Sequence, residues 1–255
     1  MKQISLPLLV VLLSLTLAVG QRPAAPKQVL HDFRVDGGGT KAAKISSATQ
    51  RSVLSKLFRK YLSDGSKCNP RFEGDLEAAR KAGQIAPSII DSATGSFTAA
   101  GQTQTAYVIS VAECGASHAE NFGSDRIAIF SGPQLVADLD LDFRSSIVRK
   151  TDLNADGIDE LLMTSGWTGQ GTIIESAALL GFQNGTLQVI EDFKTVNEDS
   201  CGSGFPGSTA KAAVLSFGTA TPGKMPNLQQ QNYEAGCGTK KRWKFVSTGK
   251  METSN

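Results

Sequence analysis

From Asp152 the chain reads Asp-Leu-Asn-Ala-Asp-Gly-Ile-Asp-Glu, with oxygen-bearing side chains at the first, third, fifth and ninth places of the run. Oxygens at that spacing can converge inside a tight turn, and a hard cation such as calcium takes roughly six to eight of them, backbone carbonyls included. The expected ligands are the side chains of Asp152, Asn154, Asp156 and Glu160 and the carbonyl of Ile158, with Gly157 allowing the sharp turn. Asp152, Asp156, Asp159 and Glu160 also crowd like charges together, a repulsion that a cation relieves. The metal-free alternative is a polar turn, since Asn, Asp and Gly favour turns unaided. An EF-hand is excluded: its twelfth position, which requires a bidentate Glu, is Met163, and the flanks read as strands.

Other chemistry-bearing residues are better explained as structure. Asp138, Asp140 and Asp142 alternate with Leu139, Leu141 and Phe143, as on any half-exposed strand. His118 stands near Cys114 and Glu120, but the only other histidine is His31, too few for a zinc site of ordinary spacing. Lys240, Lys241, Arg242 and Lys244, interleaved with Trp243 and Phe245, suit an edge strand guarded by lysines as well as they suit an anion site. The Gly-rich stretch from Gly166 to Gly171 reads as a loop whose Trp167 either anchors a partner or covers one end of the core. No nucleophile elbow, phosphate loop, zinc helix or dinucleotide fingerprint occurs, and the expectation is a protein that is not an enzyme.

Lys2, the apolar run from Leu6 to Val19, and small residues at Ala18 and Gly20 make residues 1–20 a secretory signal peptide cleaved after Gly20. The apolar run is too short for a membrane span and does not recur. The expected location is therefore secreted or periplasmic. Loss of Lys2 leaves 25 basic and 24 acidic residues, a balance that gives no reason to expect nucleic acid as partner. In an oxidising compartment Cys68, Cys114, Cys201 and Cys237 imply two disulfides. Three connectivities are open; Cys201 with Cys237, and hence Cys68 with Cys114, is preferred because the first pair borders the last strands in polar, Gly-containing loops.

These residues need elements to position them. Residues 21–44, rich in Pro, Ala, Gly and Lys, read as a flexible leader, and residues 45–94 as a helical segment. Ser47 and Gln50 resemble a capping box ahead of Val53, Leu54, Leu57, Phe58, Tyr61 and Leu62 at helical spacing, with Gly65 as the stop and a shorter helical stretch from Asp75 to Lys81. Residues 95–248 alternate instead and form a β domain, with 249–255 as a tail. The expected strands are Ala106–Glu113, Arg126–Phe130, Leu135–Phe143, Ile147–Lys150, Glu160–Thr164, Thr172–Leu180, Thr186–Glu191, Lys211–Phe217 and Arg242–Ser247. Ser131-Gly132-Pro133-Gln134 and Gln183-Asn184-Gly185 are hairpin turns. The fold class is mainly β: antiparallel meander sheets, arranged as a partial propeller or a sandwich, behind a short helical N-terminal segment.

The run from Thr151 to Met163, TDLNADGIDELLM, resembles the calcium loop of the FG-GAP repeats of integrin alpha chains, in single copy, with IAIFSGPQLVADL upstream similar to the hairpin that precedes it. Glu160 stands where that family more often has Asp. The resemblance implies calcium held by Asp152, Asn154, Asp156, Ile158 and Glu160, and a role in binding or adhesion toward an unknown protein or glycan partner. The alternatives are a periplasmic inhibitor of a hydrolase acting through a loop such as 166–171, or an enzyme of unrecognised type.

Overall fold

The computed structural model describes residues 27–35, 44–57, 88–111, 124–141, 145–238 and 240–251. Four strands, β2 (Ser88–Gly95), β3 (Gln104–Val111), β4 (Ser124–Ser131) and β5 (Gln134–Leu141), form an antiparallel meander in sequence order. Their alternation sorts side chains to two faces. Tyr107, Ile109, Ala128 and Phe130 point to one face, where helix α1 (Ser47–Leu57) lays Val53 and Leu54. Ala106, Val108, Ile127 and Ile129 point to the other and meet Ile147, Leu161, Met163, Leu180 and Leu187 of the second sheet. Burying each such aliphatic side chain contributes about 1.5–3 kcal/mol.

The second sheet is larger and curls into a half-barrel. Its order is β12 (Lys244–Thr248), β11 (Leu228–Gly236), β10 (Thr209–Phe217), β9 (Thr186–Asp199), β8 (Thr172–Gln183), β7 (Glu160–Gly169) and β6 (Ser145–Thr151), all antiparallel. The first half of β7, 160–164, is buried on both faces: Leu161 and Met163 face the four-stranded sheet, while Leu162 faces the interior of the curl with Leu153, Leu179, Phe193, Val196 and Leu215. The curl originates in β9, where Ile190, Phe193 and Val196 each lack a partner in the register with β8. Each is the extra residue of a bulge, and bulges bend and twist the strand that carries them. Lys194, at φ 58°, and the Lys194 N–H to Asp192 Oδ1 bond of 2.9 Å span the middle one. All three bulged residues join the same apolar cluster.

β9 pairs with β10 only through residues 197–199 and then diverges; the freed half of β10 pairs with β1 (Gln28–Asp32). At residues 27–35 this departs from the expected flexible leader of 21–44, of which residues 21–26 and 36–43 lie outside the described residues. Leu30 is fully buried and Phe33 nearly so, and those two apolar residues, with backbone pairing to β10, offset the ordering entropy of the segment. Within the helical segment 45–94, the residue that caps α1 is Ser46 and not Ser47: Thr49 N–H donates to Ser46 Oγ at 3.1 Å and Gln50 N–H to the Ser46 carbonyl. Residues 88–94 of that segment are strand β2. The stretch from Asp75 to Lys81, the helix beyond Leu57, and the signal peptide at 1–20 lie outside the described residues.

Strand β11 has no counterpart among the expected strands, because Leu-Gln-Gln-Gln-Asn-Tyr-Glu-Ala-Gly carries little apolar alternation. It is nonetheless a central strand, burying Gln230 and Asn232 with their amide nitrogens hydrogen-bonded. The 249–255 tail is corrected in part, since Met251 is buried in the main cluster. Both hairpin turns occur as expected, Ser131 pairing with Gln134 and Gln183 with Thr186, with Asn184 and Gly185 at positive φ.

Candidate functional site

The acid run leaves β6 at Thr151 and re-enters β7 at Glu160, so it is a strand-to-strand loop as the sequence implied. Its first acid organises the turn: Asp152 Oδ1 accepts the Asp156 N–H at 3.2 Å and Oδ2 the Gly157 N–H at 2.9 Å. Asn154 Oδ1 accepts the same Asp156 N–H, Asn154 Nδ2 donates to Asp156 Oδ2 at 2.9 Å, and Asp156 Oδ1 accepts the Ile158 N–H. Ala155 and Gly157 both take positive φ, the conformation that closes so tight a turn.

Glu160 lies beneath this turn, only 4% exposed, with Oε2 accepting the Leu153 N–H at 2.8 Å. Burial pushes its carboxyl up to about 7, and the charges of Asp156 and Asp152 push in the same direction against the Leu153 hydrogen bond. Asp152, Asp156 and Glu160 are thus within electrostatic reach of one another. Among the described residues, however, no three His, Cys, Asp or Glu side chains are gathered as a metal cage. The loop's acids hold backbone N–H groups instead. The donor set still fits a hard cation: it is all oxygen, it includes a carboxylate whose charge is unfavourable where it sits, and the Asn154 side chain in the turn is itself buried.

Asp159 departs from the other acids. Its N–H donates to the Ser96 carbonyl at 2.6 Å, its Oδ2 accepts the Ser96 N–H at 2.8 Å, and Lys150 Nζ lies 3.4 Å away. The same Oδ2 lies only 2.5 Å from where a Cβ on Gly95 would stand. On the opposite side, the Asn154 carbonyl accepts the Gly223 N–H at 2.8 Å from the connection between β10 and β11. The loop therefore grips both sheets, a role for Asp159 that the spacing of acids did not signal.

Asp138 and Asp140 are both ion-paired with Arg126 on the neighbouring strand. Asp142, Cys68, Cys114, His118 and Glu120 lie outside the described residues. Cys201 and Cys237 are bonded to each other, Cα to Cα 5.4 Å, tying the 200–208 connection to the end of β11. The expected loop at 166–171 is instead the end of β7 and a two-residue turn at Gln170-Gly171. Trp167 does not cover the core: it is 48% exposed, and its ring leaves no room for a Cβ on Gly169. β12 is the exposed edge of its sheet, with Lys244 at its start. Among the described residues, no helix is long and apolar enough to cross a membrane. Comparison with family models, curated proteins and solved structures returns no match.

Proposed function

We propose that the protein is an exported β module that binds calcium through Asp152, Asn154, Asp156, Glu160 and the carbonyl of Ile158, and that it acts in binding or adhesion and not as a catalyst. The observation that carries this is the buried Glu160 carboxyl set against Asp152 and Asp156. A divalent cation there would neutralise the group of acids and let Glu160 ionise; the acids would exchange backbone N–H partners for the ion. The FG-GAP likeness supports the same ligands. Because the loop grips both sheets through Ser96 and Gly223, its metal would order the faces presented to a protein or glycan partner.

Thermal melts test this. A ligand confined to the folded state stabilises by RT ln(1 + [L]/Kd), about 2.7 kcal/mol at a hundredfold excess. Calcium at about 10 mM, well above the roughly 0.1–1 mM Kd of extracellular modules, should raise Tm by several degrees over chelator. Magnesium should do so poorly, and Asp156→Ala should abolish the rise. If wild type and variant melt alike with and without calcium, the loop is only a turn and the FG-GAP likeness has no functional content. One observation favours the inhibitor alternative, the exposed Trp167 near a hairpin tip braced by Gly202 against Gly171. A hydrolase co-purifying with the chain and regaining activity against Trp167→Ala would establish it.

A further inference from the structure

The larger sheet ends at β12, which pairs with β11 on one side and, among the described residues, with no strand on the other. An unpaired edge offers a row of backbone N–H and C=O groups to an incoming strand. All five residues of β12 are exposed, Phe245 and Val246 by 56% and 58%. Phe245 is nonetheless held in place: its ring meets Tyr233 edge-on at 5.8 Å, and the Arg34 guanidinium lies 4.2 Å over the Tyr233 ring. A strand laid about 4.8 Å beyond β12 would extend this row and cover Phe245.

Charge decides what the edge accepts. Lys240, Lys241, Arg242 and Lys244 lead into β12 and open it, whereas residues 245–248 carry no charge. Lys241 is committed to Asp199, and Lys244 stands across from Glu234 in the ladder. Lys240 and Arg242 are exposed and have no acid partner among the described residues. Positive charge therefore marks one end of the edge, and an uncharged stretch with two exposed apolar side chains follows it. Lysines beside an edge deter indiscriminate pairing. They disfavour a second copy of the chain: two β12 strands paired antiparallel about Val246 would bring Arg242 of each toward Lys250 of the other. A strand with acids at the matching end meets no such barrier.

We propose that β12 is a docking edge for an extended, acidic segment of a partner protein, added antiparallel like every other pairing in this sheet. Its apolar residues would lie beside Phe245 and Val246 and its C-terminal acids beside Lys240 and Arg242. This rests on the binding role proposed above but not on the metal, because β12 and β6, from which the acid loop departs, stand at opposite ends of the strand order.

Fluorescence polarisation of the full chain in chelator, with a labelled peptide of alternating valine and threonine followed by three glutamates, tests the assignment. Saturable binding is expected, about tenfold weaker when lysines replace the glutamates. N-methylation of alternate backbone nitrogens removes donors from one edge of the peptide at a time; of the two such peptides, the one methylated on the edge that faces β12 should lose binding and the other keep it. The double variant Lys240→Glu, Arg242→Glu should reverse the charge preference with Tm unchanged; if it does not fold, the four peptides on wild type decide. No saturable binding, equal affinity for acidic and basic peptides, equal affinity for the two N-methylated peptides, or an acidic preference kept by the double variant would each overturn the proposal, the third by reducing it to unspecific charge attraction. Self-association that the acidic peptide does not disperse would assign the edge to a second copy instead. Peptide binding alongside melts indifferent to calcium would withdraw the metal and leave the docking edge; calcium-dependent melts without peptide binding would do the reverse.

Discussion

The two sheets are built from similar material and differ in how strictly the chain alternates. In the four-stranded meander the period of two is kept almost throughout, so one face takes α1 and the other takes the second sheet. In the larger sheet, β9 places Ile190, Phe193 and Val196 three residues apart, and three bulges turn that period of three inward. The result is curvature, a split at β10 shared by β9 and β1, and a lined cavity at the split. Regular alternation produces a wall, whereas interrupted alternation produces a concave surface. The acid loop sits at the junction, holding Ser96 beside the flat sheet and Gly223 beside the curled one.

The contrast between the sheets is most vulnerable at Phe193. If the bulged residue is seated in the core of the curl, Phe193→Ala should cost about 3–5 kcal/mol in denaturant titration. A loss below about 1 kcal/mol would mean that the bulges do not hold the curvature.

Glu160 supplies the next effect, at the junction itself. Its folded-state pKa of about 7 lies above its ordinary 4.5, so the folded chain holds that proton more tightly than the unfolded one. In chelator, stability present below about pH 4.5 should therefore fall by up to about 3 kcal/mol as pH rises toward 7 and beyond. Glu160→Gln should be flat across this window, and saturating calcium should remove the loss in wild type by favouring the ionised carboxylate. Asp32, held below the usual carboxylate range chiefly by its hydrogen bond to Arg34, acts in the opposite sense and only in stronger acid. A wild-type profile in chelator that is flat from about pH 5 to 8 would place Glu160 in a setting more polar than burial beneath the turn provides.

A smaller effect tests the grip on the flat sheet. Asp159→Ala leaves the partly buried Ser96 N–H without its acceptor and should cost about 1–3 kcal/mol. Gly95→Ala, whose new methyl meets the Asp159 carboxylate, should resemble it and add little in the double variant. Additive losses would show that the two residues act separately.

The smallest change is at Lys194, whose positive φ serves the central bulge. Lys194→Gly relieves that conformation at an entropic cost in the unfolded chain, and stability should stay within about 1 kcal/mol of wild type. A larger loss would assign Lys194 a role beyond the turn of the backbone.

The sequence by itself determined what depends on near neighbours. The paired turns at Gly132-Pro133 and Asn184-Gly185, the strands that flank them, and the acid loop as a connection between β6 and β7 were all legible, because turn chemistry and a period of two are local properties. By contrast, the sequence left three cysteine connectivities open, and the Cys201–Cys237 bond joins residues 36 apart. Only the tertiary structure decided the rest. β1 reads as leader because two apolar residues mean little until β10 offers an open edge, and β11 reads as polar because its glutamines and asparagine find partners on Thr195, Ser247 and Gly249, distant in sequence. The spacing of acids singled out 152–160 as candidate ligands, but it could not assign Asp159 to Ser96 or bury Glu160 beneath the turn. Burial and electrostatic shift arise from what the rest of the chain packs around a group, and a linear pattern carries no record of that.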